Sequence, residues 1–325
     1  MTTGPTYLVT GGMGCLGAWT LHHLVREGKR AISFDLSEDR HRLNLLLTPE
    51  EQGAITFLKG DLTDFGQVHE ALEGCGVTHV VHLAALQIPF CKADPVLGAR
   101  VNVGGTVNIF EAARLAGLEH IAYASSIAVY GPPSVYRPEV IAADSPFDPR
   151  TLYGVYKQAN EGTARIYWQD HKLSSTTLRP YTVYGVGRDQ GVTSEPTKAM
   201  LATAAGRDYH ISFGGTMQFQ LASDVAKQFI EAAETPLSGA YGFALGTTPT
   251  AIAEVAALIE RERPGVSVTC DEIPLPFPQG IDSGEFKTRL PRVVETPLAD
   301  GIRQTIEHFE TLLAKGYLNP EPQTA

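Results

Sequence analysis

Cysteine is scarce. The 325 residues hold only four, and Cys15, Cys75, Cys91 and Cys270 show no paired spacing. That pattern argues against a disulfide framework or a thiolate zinc site and suits reduced thiols in a cytoplasm. No metal site is expected. Positive charge is also short, with 26 lysines and arginines against 36 aspartates and glutamates and a formal net charge of −10. No basic run occurs, so nucleic acid and anionic membrane surfaces are poor partners. No apolar stretch approaches the ~20 residues needed to span a bilayer. A β-type run starts within a few residues of Met1, which leaves no room for a signal peptide. Internal repeats and low-complexity tracts are absent.

Glycine is plentiful, and its placement is informative. Thr6-Tyr7-Leu8-Val9-Thr10 reads as a strand and runs into Gly11-Gly12-Met13-Gly14-Cys15-Leu16-Gly17. An amphipathic stretch over residues 15–27 follows and stops at Gly28. Strand, glycine turn and helix are the context in which Gly11, Gly14 and Gly17 form a phosphate loop. They allow a tight turn, a close pyrophosphate approach and close helix packing. The second strand, residues 31–35, ends at Asp35, about 20 residues past the turn, where a carboxylate can meet the adenosine ribose hydroxyls. Asp35 would repel a 2′-phosphate, so NAD is preferred over NADP. Arg40 and Arg42 read as solvated residues of the next helix, although either could fold back toward a phosphate. Asp61, in Gly60-Asp61-Leu62, is placed to accept from the adenine amino group. The small Ala84 and Ala85 follow a strand over residues 78–83 and would let a cofactor lie against the backbone. His79 and His82 read as structural.

Tyr153 and Lys157 stand four residues apart in Tyr153-Gly154-Val155-Tyr156-Lys157. On a helix they share a face. A lysine beside a phenol favours the phenolate and improves it as a proton shuttle. Bringing a tyrosine to neutrality needs about 4 kcal/mol of differential stabilisation, more than one lysine usually supplies, and a bound cationic nicotinamide ring is a source for the rest. Hydride transfer creates or consumes an alkoxide, which the shared tyrosine proton and a fixed hydroxyl from the Ser125-Ser126 pair would stabilise.

Alternating β-runs and helical stretches through about residue 179 indicate a parallel, doubly wound α/β sheet. Residues 148–172 read as a long helix carrying Tyr153 and Lys157. After Pro180 the pattern changes to short elements: helices near 197–205, 222–234 and 250–262, and strands near 209–213 and 241–245. An extended connector occupies Pro274-Leu275-Pro276-Phe277-Pro278. A last helix covers residues 300–315, and the tail after Pro320 reads as disordered. The expected division is a cofactor-binding part, residues 1–180, and a smaller α/β substrate lobe, residues 181–325, whose late segments return to the core.

These pieces together resemble the extended short-chain dehydrogenase/reductases, the NAD-dependent epimerase/dehydratase family. The matching segments are Thr10 through Gly17, Gly60-Asp61-Leu62, His82-Leu83-Ala84-Ala85 and Asn102-Val103-Gly104-Gly105-Thr106. Further matches are Ser125 through Gly131, Tyr153 through Lys157, Leu178 through Gly185, and Asp224-Val225-Ala226. The resemblance implies a Rossmann fold and an NAD enzyme acting on a small molecule. Tyr153 is implied as the acid/base. Lys157 is implied to hold the nicotinamide ribose and lower the Tyr153 pKa, and Ser126 to bond the reacting oxygen. Ser125 is implied to face the cofactor, with Cys15, Leu16, Leu62, Leu83 and Pro180 completing the cofactor contacts. A homodimer through the long helices is implied as well.

Departures from the family pattern bear on substrate. Nucleotide-sugar members usually carry an arginine shortly before the Asp-Val-Ala segment and a later basic-Pro-Gly-Asp segment, both meeting the diphosphate. The stretch Gly215 through Asp224 has no arginine, and the later region reads Pro276-Phe277-Pro278-Gln279-Gly280-Ile281-Asp282. Losing charge-assisted clamps argues against a diphosphate. Thr182, Arg188, His210 and Gln218 are the candidates to hold a small hydroxylated substrate. The leading reading is hydride transfer at a secondary alcohol or ketone of a sugar, sugar acid or polyol. The alternative is an epimerase of the UDP-hexose type that uses tightly bound NAD without net redox. A dehydratase fits poorly, because Ile127-Ala128 stands where an acidic pair is usual. A dinucleotide-binding scaffold without activity would commonly have lost Tyr153 or Lys157.

Overall fold

A computed structural model describes residues 4–318 of the chain; the tail after Pro320 lies outside them. Seven strands form one sheet: β1 Thr6–Thr10, β2 Arg30–Asp35, β3 Ile55–Lys59, β4 His79–His82, β5 His120–Ala124, β6 Ser174–Arg179 and β7 Ala240–Ala244. Their order is 7-6-5-4-1-2-3, with every neighbouring pair parallel. The chain thus reverses direction across the sheet between β1 and β4, and ligands of open parallel sheets bind at such switch points beyond the carboxyl ends of the strands. β1 is fully buried, as expected where helices cover both faces.

Helices α1 Cys15–Arg26, α2 Phe65–Gly74, α3 Gly105–Leu115, α4 Leu152–His171, α5 Glu195–Ala204, α6 Ala222–Glu234, α7 Ile252–Arg261 and α8 Leu298–Ala314 make up the layers. α1 packs with α6 on one face, while α2 packs with α3, and α3 with α4, on the other. Two buried clusters result. One joins Leu8, Val80, Ile109, Phe110 and Tyr123; the other runs from Leu21 and Leu24 through Phe229 into Phe243 and Ile306. The smaller lobe is a cluster of α5, α7 and α8 with short parallel pairs, of which Phe219–Leu221 against Thr182–Tyr184 borders the cleft. β7 crosses back to extend the main sheet beside β6. None of the described helices is long and apolar enough to cross a membrane.

Candidate active site

The cleft along the carboxyl ends of the strands encloses about 810 Å³. Its inner wall is the glycine turn. Gly11 has φ +72°, and a Cβ there would stand 2.8 Å from both the Cα and N of Ala84. A Cβ on Gly17 would meet the Gly11 carbonyl oxygen at 2.0 Å. These two glycines therefore bring turn, helix and the β4 loop into backbone contact. Gly14 precedes α1 with no side-chain cap, so the first N–H groups of α1 are free to meet an anion. Cys15 fills space beside them, and burial pushes its thiol up to about 11 against the opposing charges of Arg188 and Arg42. It stays protonated near neutral pH.

Asp35 accepts from the Met13 N–H at 3.0 Å and from the Ser37 N–H at 2.9 Å, which fixes its carboxylate at the rim of the turn. Asp61, Leu62, Leu83, Ala84, Ala85 and Pro180 also line the cleft. Arg40 lies 3.6 Å over the Phe57 ring and is not part of the lining. Arg42 is not the solvated residue that the sequence suggests. Its guanidinium, only 11% exposed, donates to the Met13 carbonyl at 2.9 Å and to Asp189 at 2.7 Å. It ties the glycine turn to the segment after β6. Arg42 is therefore not free to receive a 2′-phosphate.

Tyr153 and Lys157 occupy the first turns of α4, which Thr151 caps by accepting from the Gly154 N–H at 3.0 Å. Gly154 lets this helix start settle onto the tight turn at Ile127–Val129: a Cβ there would lie 2.1 Å from the Ala128 carbonyl oxygen. The contact brings Tyr153 and Ser126 into one cleft, and the Ser126 hydroxyl caps the turn by accepting from the Ala128 N–H. Burial raises the phenol pKa, while Ser126 and then Arg188 pull it back. Lys157 is 3% exposed; its Nζ donates to the Ala124 carbonyl at 2.7 Å and sits 5.7 Å from the centre of the Tyr153 ring. Burial lowers the ammonium to about 8, opposed by Cys91 and Glu161. Arg188, which also lines the cleft, adds a second positive charge that favours the phenolate.

Two expected site residues, Gln218 and His210, lie outside the cleft, while Ser125 lines it with its hydroxyl turned to a neighbour. Ser125 touches the cleft, but its hydroxyl donates to Glu161 at 2.5 Å. Glu161 holds the buried Arg179 at 2.6 Å, so the hydroxyl serves a buried ion pair behind the site. Gln218 is buried with its amide spent on the Thr247 and Ile281 carbonyls and the Ile281 N–H; it fastens the small lobe and does not line the cleft. His210 is exposed on a short strand, bonded to Thr269 and Asp271, also outside the lining. Thr182 and Arg188 do line it.

Other lining groups escaped the sequence reading. Met217, Leu275, Pro276 and Phe277 face the cleft from the small lobe, and Leu86, Gln87 and Ile88 from the loop after β4. Asn102 clamps that loop, accepting from the Leu86 N–H at 2.7 Å and donating to its carbonyl at 2.9 Å. It does so from a π-helical turn, Arg100–Gly104, whose freed Asn102 carbonyl accepts from Asn160 at 2.9 Å. A π-turn is invisible to helix periodicity. His82 is buried between Thr10 and Thr106, and burial, then Lys157, holds it neutral near about 3.

The parallel sheet thus gathers the uncapped glycine turn, Ser126, Tyr153 and Lys157 along one cleft. The profile of the NAD dependent epimerase/dehydratase family matches residues 7–243, and the chain belongs to that family. It is 30% identical over 319 residues to a UDP-glucose 4-epimerase of Mycolicibacterium smegmatis, covering 93% of this chain and 97% of that one. Among solved structures it is similar to MoeE5 in complex with UDP-glucose and NAD, at 26% identity and TM-score 0.77, over 95% of this chain and 99% of that one. A partial consensus L-threonine 3-dehydrogenase shares the fold at 23% identity and TM-score 0.81, over 94% of this chain and all of the other. The protein is an enzyme whose cofactor is NAD.

Proposed function

We propose that this enzyme is a dehydrogenase acting at a secondary alcohol or ketone of a small, non-nucleotide hydroxylated substrate. The observation that carries this reading is the substrate end of the cleft. Where nucleotide-sugar members place an arginine, this chain points Met217 into the cleft, and Leu275, Pro276 and Phe277 come from the later stretch. A diphosphate needs several charge-assisted donors. Arg207 is not among the lining residues, and Arg289 lies against the Tyr241 ring and Glu285.

The glycine turn and the uncapped start of α1 would take the pyrophosphate, and Asp35 the adenosine ribose. Asp61, Leu62, Leu83, Ala84, Ala85 and Pro180 would complete the cofactor wall. Bound NAD supplies the two-electron acceptor for the hydride that leaves the substrate carbon. Tyr153 takes the hydroxyl proton, Ser126 bonds the same oxygen, and the buried ammonium of Lys157 holds the ribose edge and adds positive charge. In reduction each transfer runs backward.

An epimerase is the second reading, favoured by the similarity to the mycobacterial UDP-glucose 4-epimerase. It would use the same three residues and return the hydride to the opposite face. We also place a cofactor-binding part at residues 1–180 and the substrate lobe at 181–325. A homodimer through α4 is supported by Val155 and Ile166, 45% and 53% exposed on that helix, and a cytoplasmic setting by the four free cysteines. The test of function is a panel of sugars, sugar acids, polyols and nucleotide sugars followed at the NADH absorbance. Wild type should accumulate NADH with a non-nucleotide substrate, and Tyr153→Phe should lose most turnover while keeping NAD affinity. Near-wild-type turnover by Tyr153→Phe would remove the proton-shuttle assignment.

A further inference from the structure

Arg188 is the cation of the cleft without a fixed anion. Its Nε is buried with no hydrogen-bond partner among the described residues. One Nη donates to the Thr193 hydroxyl at 3.1 Å, and no carboxylate among the described residues lies within ion-pair distance. The other basic groups of the cleft are engaged: Arg42 by Asp189, Lys157 by the Ala124 carbonyl, His41 by Asp39 and Asp189. Asp189, the neighbour in sequence, is thus turned toward the cofactor side. Gly191 has φ +91°, and a Cβ there would meet an Arg188 Nη at 3.3 Å and the Gln87 Oε1 at 2.4 Å. Bare backbone at this point leaves the guanidinium its room.

Holding a guanidinium partly desolvated without a counter-charge is costly. It is retained here in the same cleft as Thr182, Met217, Phe277 and Tyr153, and its charge favours the Tyr153 phenolate. A planar fork without a counter-charge matches one carboxylate, which it can bind in bidentate fashion. We propose that the substrate is a small hydroxy acid whose carboxylate pairs with Arg188 while its hydroxyl meets Ser126 and Tyr153. This deepens the dehydrogenase reading and rests on it. In the oxidation the substrate C–H bond breaks with both electrons leaving as hydride to NAD. The O–H bond breaks with the proton going to the Tyr153 phenolate, the C=O bond forms, and the carboxylate is unchanged.

The experiment pairs glycerate, tartrate and gluconate with glycerol, threitol and sorbitol, and uses malonate as a non-reacting probe of the NADH-loaded protein. Malonate should quench or shift NADH fluorescence saturably, and one or more acids should be oxidised in preference to the matching polyol. Arg188→Met should raise KM for the acid about a hundredfold and weaken malonate to a similar extent, with Arg188→Lys recovering part of each. Oxidation of a polyol as well as its acid, together with no saturable malonate binding to wild type, would overturn the carboxylate assignment while leaving the dehydrogenase reading intact. Turnover of a UDP-hexose without net NADH would instead remove the reading on which it rests. Malonate binding is measured on wild type, so the result does not depend on the variants folding.

Discussion

Gly154 and Ala128 are in backbone contact: a Cβ on Gly154 would sit 2.1 Å from the Ala128 carbonyl oxygen. That contact seats the start of α4 on the turn begun by Ser126 and so sets the spacing between Ser126 and Tyr153. Any side chain at 154 must push the two apart. Gly154→Ala should cut kcat by about a hundredfold, as expected for a small misplacement of reacting groups, and destabilise by about 1–3 kcal/mol through overpacking. Steady-state kinetics and thermal unfolding of the variant check both. Near-wild-type values would mean that the contact does not position the site.

Lys157 gives the apoprotein a pH signature. Burial, against the opposing pull of Cys91 and Glu161, lowers it from the ordinary 10.5 to about 8. Below that value the folded and unfolded chains both hold the proton. Between about 8 and 10.5 the unfolded chain holds it and the folded chain has lost it, so rising pH favours the folded state through this group. Wild type should therefore gain up to about 3 kcal/mol relative to Lys157→Met as pH rises from neutral to alkaline. Denaturant unfolding of both apoproteins across that range, taken as a difference, cancels the shared titrations. A flat difference would contradict the buried, depressed ammonium.

Cofactor choice follows from Asp35, which is fixed by the Met13 and Ser37 N–H groups, and from the commitment of Arg42 to Asp189. NADP should bind at least about a hundredfold more weakly than NAD, the scale of an unscreened like-charge contact. Asp35→Ser should narrow the gap mainly by weakening NAD. Calorimetric titration of both dinucleotides decides it, and comparable affinities in wild type would refute the ribose assignment.

What the sequence made legible was local. Gly11 and Gly14 sit between a strand and a helix with Gly17 in the helix's first turn, and Tyr153 and Lys157 share one helix face; each follows from short-range geometry. The boundaries of α6, Ala222–Glu234, follow from amphipathic periodicity. Side-chain partners far apart in sequence were not legible. Ser125 lines the cleft, but the sharing of its hydroxyl with Glu161, 36 residues on, could not be read. Gln218 is consumed by Ile281, 63 residues away. His210 resembles a site residue in isolation, but the pairing of its strand with Val268–Cys270 directs it to Asp271. Leu275 and Phe277 looked like a connector because nothing in an extended apolar run says which surface it will cover. The Arg42–Asp189 bridge joins residues 147 apart and is a product of the fold alone.

A site that performs net redox on a substrate without a nucleotide diphosphate has no use for UDP, which makes UDP the deciding ligand. UDP and UDP-glucose are titrated into the NAD-loaded protein, and the products of any turnover are separated while NADH is followed. With Met217, Leu275 and Phe277 lining the cleft, neither ligand should bind saturably in the micromolar range, and no hexose should be epimerised. Micromolar UDP binding together with conversion of UDP-glucose to its epimer without NADH accumulation would contradict the account and establish the epimerase reading.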